Sequence, residues 1–128
     1  MREIKFRGRE YDTRYGLRWV YGDLTHKFVQ VLVAGCIVEE ATVGQYTGLR
    51  DAEGREIYEG DVIRSVMLPH MRTAVCNGCV VYRNGAFYVE YINHTYANLG
   101  DLIFYSGTSS TVIGNVHDNP NLMEAAHD

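Results

Sequence analysis

The dipeptide Asn84-Gly85 is the feature of this sequence that most restricts its fold. It lies between residues 79–82 and 87–91, two runs rich in β-branched and aromatic side chains. Asn-Gly between such runs is the strongest short signal for a two-residue turn that joins antiparallel strands. We therefore predict a β-hairpin here. Since side chains alternate along a strand, three apolar residues of the second strand are expected on one face: Phe87, Val89 and Tyr91.

The same two-residue periodicity runs through much of the chain, whereas helical periodicity is scarce. Ten Tyr, four Phe and thirteen Gly against two Pro favour strands joined by turns. Residues 4–7 are expected to form an edge strand, and Gly22-Asp23 is expected to join strands 18–21 and 27–33 in a hairpin. Further strands are predicted at residues 45–49, 55–58, 62–68, 102–105 and 111–116.

These patterns predict an all-β fold, a small SH3-like or related β-barrel of hairpins, forming a single domain over residues 1–128. At most one short C-terminal helix is expected. Asp118-Asn119-Pro120 offers a cap and a Pro at the first helical position, so residues 120–128 are predicted to be a short helix or tail.

Turn signals are densest between residues 45 and 62. Asp51 and Gly54 occupy the first and fourth positions of a type I turn, and Gly60 can supply a positive φ in a second tight turn. The strands around these turns are expected to place four side chains in the core: Leu49, Ile57, Val62 and Ile63. Gly78 lies too near Asn84-Gly85 for a second long hairpin, so a bulge or bend is predicted there. Structural turns are assigned to Gly48, Gly54, Gly60, Gly85 and Gly114.

Charge is unevenly distributed. Residues 1–27 carry seven Lys or Arg against four Asp or Glu, while the whole chain has a net charge of -4 and a pI of about 5.7. An acidic chain is not expected to be held on duplex DNA by phosphate contacts. The basic N-terminal residues could contact an acidic partner, or they could form a solvated face of paired charges. This candidate patch comprises six of the seven: Arg2, Lys5, Arg7, Arg9, Arg14 and Arg18.

No common catalytic spacing is present, and no cofactor is expected. Cys76 and Cys79 form a C-x-x-C pair that could bind zinc, but a zinc site needs four ligands and no second pair exists, so ordinary thiols are favoured. The three Cys and the lack of an apolar N-terminal segment lead us to expect free thiols in a reducing compartment. The longest apolar runs are too short to span a membrane.

Two further groups of residues have alternative interpretations. Five carboxylates could form a cation or general-acid cluster, although Asp and Glu are also usual in turns: Asp51, Glu53, Glu56, Glu59 and Asp61. Seven tyrosines could form a base-stacking platform, although packing or an interface explains alternating Tyr equally well. These are Tyr46, Tyr58, Tyr82, Tyr88, Tyr91, Tyr96 and Tyr105.

Four blocks of the sequence carry a recognisable pattern: the opening residues 1–7, the central stretch 45–62, residues 78–87 and residues 112–122. Taken in this order, the blocks resemble the YopX family of phage and prophage proteins. The central block is the longest and most specific. The resemblance implies a mostly β protein carried by a phage or integrated prophage, located in the cytoplasm of a bacterial host cell. It brings no established activity.

Three functions are compatible with these observations. The first is a non-catalytic binding or assembly module that acts on a host or phage macromolecule, such as a protein. The second is a protein that binds single-stranded nucleic acid, and the third, least favoured, is an enzyme. The candidate binding surface comprises Gln45, Tyr46, Arg50, Asp51, Tyr58, Glu59, Asp61 and Asn115.

The aromatic content also predicts self-association. A β-rich chain has strand edges that invite pairing, and aromatic side chains that a small barrel cannot enclose must face water or a partner. We therefore expect a homo-oligomer. The candidate interface residues are Tyr88 and Tyr91, on opposite faces of one strand.

Overall fold

A computed structural model of the chain describes residues 2–11, 17–67, 74–104 and 109–124. The chain forms two compact units, Met1–Gly48 and Leu49–Asp128, which are described separately. Strand β6 begins in the first unit and ends in the second. No helix among the described residues has both the length and the apolar character needed to cross a membrane.

The first unit contains two antiparallel sheets. One places β1 between β2 and β6, and the other has the order β3-β4-β5. A small apolar core of Val31, Val33 and Val38 lies among these strands, with Phe6 and Leu24 packed against it. The elements are β1 (Phe6–Arg9), β2 (Trp19–Gly22), β3 (Leu24–Lys27), β4 (Gln30–Val33), β5 (Cys36–Ile37), a 3₁₀ turn (Glu40–Thr42) and β6 (Gly44–Arg50).

Two sequence-based expectations for this unit are wrong. β1 is paired on both sides, so it is not an edge strand. Gly22-Asp23 is not a hairpin turn, because β2 pairs with β1 while β3 pairs with β4 through a turn at Phe28-Val29. At Gly22 the chain passes from one sheet to the other, and a Cβ there would lie 3.1 Å from the Cβ of Ala34.

The second unit is built on a five-stranded antiparallel sheet with the order β11-β10-β9-β8-β12. Strand β7 pairs with β6. The elements are β7 (Glu56–Tyr58), β8 (Asp61–Met67), β9 (Ala74–Arg83), β10 (Ala86–Tyr91), β11 (Tyr96–Asn98), α1 (Leu99–Phe104), β12 (Ser109–Asn115) and a 3₁₀ turn (Pro120–Met123). The buried core consists of Ile57, Ile63, Val80, Val89, Leu99 and Leu102.

The hairpin at Asn84-Gly85 is confirmed. Arg83 pairs with Ala86 across the turn, and Asn84 and Gly85 have φ values of 50° and 82°, as a type I′ turn requires. The predicted face is also confirmed, because Val89 is buried in the core and its neighbours two residues away pack against it. Of the four predicted core residues, three are fully buried and one packs against the core: Ile57, Val62, Ile63 and Leu49 respectively.

The all-β class is confirmed, with one short α-helix in the described chain, but this helix is internal. Residues 102–104, expected in a strand, belong to α1; Asn98 Oδ1 accepts a hydrogen bond from the Asp101 N–H at 3.0 Å and caps its first turn. The predicted C-terminal helix is only a 3₁₀ turn, and residues 125–128 lie outside the described residues.

The glycine at position 78 does not form a bulge. Gly78 stays in regular register with Ile63 and Tyr91, and a Cβ there would clash with Val89. The bulge of this sheet lies instead in β12, between Val112 and Gly114.

The expected barrel, SH3-like or related, is not what the described strands form. They make three antiparallel sheets that do not close. β12 pairs with β8 rather than with β11, which leaves β11 and β12 at opposite edges of the larger sheet. The single-domain boundary of residues 1–128 stays a prediction.

Candidate functional site

The Asp51 side chain closes the turn between β6 and β7. Oδ1 accepts the backbone N–H groups of Glu53 at 2.9 Å and Arg55 at 2.8 Å, and Oδ2 accepts the Val112 N–H at 2.9 Å. The Gly54 N–H donates to the Asp51 carbonyl at 3.0 Å, as a type I turn predicts. The carboxylate therefore fixes its own turn and also ties it to strand β12.

The electrostatics of Asp51 are consistent with this structural role. Its side chain is completely buried, and burial alone would raise its pKa. The backbone donors of Val112, Arg55 and Glu53, with the Arg55 guanidinium, reverse that effect and hold the pKa of Asp51 below its ordinary value. The ionised form is thus the stable one in the fold.

The second predicted turn is closed by Asp61. Its Oδ2 accepts the backbone N–H of Tyr58 at 2.7 Å, and Gly60 has a φ of 93°, which confirms the positive φ expected there. The Gly60 N–H donates to the Val80 carbonyl, and its own carbonyl accepts the Val116 N–H. This turn therefore joins β8 to two other segments of the unit.

Asn115 and Gly114 organise the turn after β12. Asn115 Oδ1 accepts the N–H groups of His117 at 3.0 Å and Asp118 at 2.9 Å. A Cβ at Gly114 would lie 2.5 Å from Asn119 Oδ1 and 2.8 Å from Leu122 Cδ1, so a larger residue would force these two side chains to move. Asn115 and Gly114 therefore have a structural role, which is to set the backbone conformation of this turn.

The structure separates the candidate binding surface into different environments. Tyr46, Asp51, Tyr58 and Asp61 are buried, so half of the predicted set is not available at the surface. Arg50 is exposed and donates to the Gly54 carbonyl at 2.9 Å. The half-buried remainder is Gln45, Glu59 and Asn115. The set is also divided between the two units, with Gln45 and Tyr46 in the first.

The Cys pair lies within β9, not in a loop. Residues three apart in a strand point to opposite faces, so Cys76 and Cys79 do not present their thiols to one ion. Both cysteines are half-buried, and neither forms a disulfide. Within the described residues, no three His, Cys, Asp or Glu side chains are grouped to hold a metal.

The basic N-terminal residues are engaged by carboxylates and rings. The Arg9 guanidinium lies 2.8 Å from Glu39, Arg18 pairs with Glu10, and Lys5 lies 3.2 Å from Glu3. Arg7 is buried with its guanidinium 4.8 Å from the Trp19 ring centroid. Arg2 is exposed, and Arg14 lies outside the described residues. Carboxylates therefore compensate Lys5, Arg9 and Arg18, whereas the buried Arg7 is not part of a solvated face.

The predicted tyrosine platform is not continuous. Tyr46 and Tyr58 are buried, Tyr91 packs against the core, and Tyr105 lies outside the described residues. On the other face of the sheet the rings of Tyr88 and Tyr96 meet edge to face at 6.4 Å. The ring centroids of Tyr82 and Phe87 lie 5.2 Å apart, also edge to face. Tyr88 and Tyr91 do lie on opposite faces of β10, and both are half-buried.

Among the described residues, the most exposed apolar side chains lie where the sequence predicts no site. Phe28 and Val29 form the turn of the β3–β4 hairpin, 93% and 96% exposed, and Phe28 has a φ of 57°. We call this pair the apolar tip. The sequence Lys27-Phe28-Val29-Gln30 contains no Gly, Asn, Asp or Pro, so sequence reasoning predicts a continuous strand through it. One signal of this turn is present in the sequence: Phe28 and Val29 are both apolar and adjacent, so the alternation of apolar and polar side chains expected of a strand is interrupted there.

A groove of about 400 Å³ lies beside the apolar tip in the same unit. Apolar side chains form part of its lining, the polar side chains of Gln30 and Glu40 also line it, and Glu40 is its charged residue. We call it the side groove, defined by Tyr11, Val29, Val31, Ile37, Val38 and Glu40. Tip and groove share Val29, so they are adjacent on one unit.

Comparisons of the sequence and the structure with known proteins identify relatives of this chain. The family model described as YopX protein matches residues 8–124. The crystal structure of protein EF1440 from Enterococcus faecalis is similar to this chain, with a TM-score of 0.58 and 21% sequence identity over 97% of this chain and 100% of that one. No curated protein matches the sequence. The likeness to EF1440 shows a shared fold, and because the family match extends over nearly the whole sequence, the chain belongs to the YopX family.

Proposed function

We propose that this protein is a non-catalytic binding module that docks through its apolar tip onto a protein of a phage or of its bacterial host. The observation that carries the proposal is the adjacent pair Phe28 and Val29, 93% and 96% exposed at the end of a hairpin. Contiguous exposed apolar side chains are unusual in isolated domains and mark contact sites.

The energetics of the tip support a docking role. A non-glycine residue at the φ of Phe28, 57°, is held at a cost of the order of 1 kcal/mol. Leaving the two side chains in water forgoes about 1.5–3 kcal/mol for each that a partner could bury. Burial of Phe28 and Val29 in a pocket of another protein would yield this free energy, which the unbound chain does not gain.

The surrounding charges favour a protein over a nucleic acid. Binding of single strands combines stacked bases with phosphate contacts from unpaired Lys and Arg. In this unit Arg9 and Arg18 are paired with carboxylates, and Arg7 is buried against Trp19, so the exposed Lys27 beside the tip has few unpaired cations around it for a phosphate backbone. The carboxylates of Asp51 and Asp61 are likewise occupied by backbone donors, which supports a binding role over general-acid chemistry.

Site-specific photo-crosslinking tests the proposal. Phe28 is replaced by p-benzoylphenylalanine, which keeps the aromatic ring, in bacterial cells that produce the full chain and its phage or prophage. Thr25, exposed on the same hairpin, is the matched control position. We expect a discrete protein adduct from position 28 and none from position 25. No adduct at position 28, or an adduct removed by nuclease, would contradict the proposal.

A further inference from the structure

We propose that the apolar tip of one copy inserts into the side groove of a second copy, and that the exchange is reciprocal about a twofold axis. This inference rests on the proposed function, because it names the partner of the tip. The homo-oligomer predicted from the sequence would then use the β3–β4 hairpin instead of Tyr88 and Tyr91.

The chemistry of the groove matches the tip. Tyr11 and Ile37, 71% and 41% exposed, offer an apolar wall beside the buried Val38. A groove of about 400 Å³ is of the size that takes an aromatic ring with a branched neighbour. An incoming Phe28 would therefore replace water on both surfaces with apolar contact.

The charges beside tip and groove are complementary. Lys27 directly precedes Phe28, and Glu40 lines the groove. Within the described residues neither side chain takes part in an ion pair. When Phe28 of one copy enters the groove of another, Lys27 is carried to the rim near Glu40. A partner of the same sequence thus supplies both the apolar wall and the opposite charge.

The placement of the two elements fits twofold symmetry. In an isologous contact the same patch is used by both copies, so each copy must carry the inserted element and its acceptor side by side. The tip and the groove meet this condition because Val29 belongs to both. A tip and groove on unrelated surfaces would instead favour open chains of molecules.

The expected affinity is modest. A phenylalanine side chain buries roughly 150–250 Å². Two inserted tips with their grooves therefore bury less than the roughly 1,200 Å² of a standard stable interface. We expect a reversible dimer with a dissociation constant between about 10 μM and 1 mM, so the mass must be followed over a wide concentration range.

Sedimentation equilibrium of the full chain from about 10 μM to 1 mM tests the inference. We expect the wild-type mass to rise from 14.5 kDa towards twice that value. Phe28→Ser should stay monomeric, whereas Phe104→Ser, which changes an 83% exposed aromatic of the other unit, should behave as wild type.

Reversal of the charges at positions 27 and 40 gives a second test, which measures the dissociation constant of the dimer without changing the apolar residues. Lys27→Glu and Glu40→Lys should each weaken association at least about twofold at low salt, because each places like charges together. The double variant should restore the wild-type dissociation constant. Circular dichroism checks that each variant is folded.

Several results would overturn this inference. A wild-type chain that stays monomeric at 1 mM while position 28 crosslinks to a different protein rejects self-association and leaves the proposed function intact. A dimer unaffected by Phe28→Ser, equal loss in Phe104→Ser, or a double charge variant without rescue rejects the stated interface. The chain can also be sedimented with phosphatidylglycerol vesicles. If wild type co-sediments with the vesicles, Phe28→Ser does not, and no dimer forms, then the tip binds lipid and the inference is rejected.

Discussion

Replacement of Asp51 by Ala should destabilise the fold more than any other single change in the turn between β6 and β7. The carboxylate accepts three backbone N–H groups, and one of these, from Val112, is contributed by a strand 61 residues away. The truncation removes all three hydrogen bonds at once. It also leaves a cavity at a position whose side chain is wholly buried.

The size of the effect follows from where the donors lie. Hydrogen bonds to a charged acceptor contribute about 1.5–3 kcal/mol each. Glu53 and Arg55 are exposed, so water can partly replace the lost acceptor there, whereas the half-buried Val112 N–H has less access to water. We therefore expect Asp51→Ala to lower the free energy of unfolding by about 3–5 kcal/mol.

Two variants separate the hydrogen bonds from the ion pair. Asp51→Asn keeps one carbonyl oxygen and places an amide near a backbone donor, so a loss of about 1–3 kcal/mol is expected. Arg55→Ala removes the guanidinium 3.4 Å from Asp51, but this group is 54% exposed, and a loss below about 1 kcal/mol is expected. Urea unfolding followed by circular dichroism gives all three values.

The dependence of stability on pH provides an independent check. The pKa of Asp51 is lowered in the fold, so its contribution is present above the pKa of the unfolded carboxyl, about 3.9, and is lost as the pH falls through the folded value. Wild type should therefore lose stability below about pH 4 more steeply than Asp51→Asn. Equal pH profiles, or an Arg55→Ala loss as large as that of Asp51→Ala, would refute this reasoning.

Three further predictions address the larger sheet. Gly60→Val should cost about 1 kcal/mol or more through strain at a φ of 93°, and an unchanged melting temperature would contradict the assignment. Gly78→Ala should cost about 1–3 kcal/mol because its Cβ meets Val89, and Val89→Ala in the same chain should relieve part of that loss, as measured by urea unfolding. The purified protein should contain no stoichiometric zinc, since the thiols of Cys76 and Cys79 lie on opposite faces of β9; elemental analysis showing one zinc per chain would overturn this.

The features that sequence reasoning located are those determined by neighbouring residues. Asn84-Gly85 prescribes its own backbone conformation, and Asp51 with Gly54 closes a four-residue turn whatever packs around it. Alternation then places Ile57 and Ile63 in the core. Each of these conclusions needs only a few consecutive positions.

Other features depend on contacts that the sequence does not encode locally. Phe28-Val29 has no turn-forming residue, and its turn exists because β3 and β4 pair on either side of it. The apolar run of α1 was too short for a helical period, so it resembled a strand; its capping residue, Asn98, was the signal that sequence reasoning missed.

The candidate binding surface was ambiguous for a different reason. Tyr, Asp and Asn are used both to bind ligands and to complete turns, and only burial distinguishes the two roles. The structure gives Asp51, Asp61 and Asn115 backbone partners, which accounts for their place in the motif without a ligand.

The strand order of the larger sheet also has a consequence for the time course of folding. β8, β9, β10 and β11 are neighbours in both sequence and space, so they can pair by short-range steps, beginning with the fast β9–β10 hairpin. β12 joins β8 across a long stretch of chain that contains β9, β10, β11 and α1, as the Ser65 and Ser110 hydroxyls, 45 residues apart and 3.1 Å from each other, illustrate. During synthesis the edge of β8 therefore stays open until β12 has left the ribosome. For that interval the nascent chain presents one unpaired edge of β8 to its surroundings.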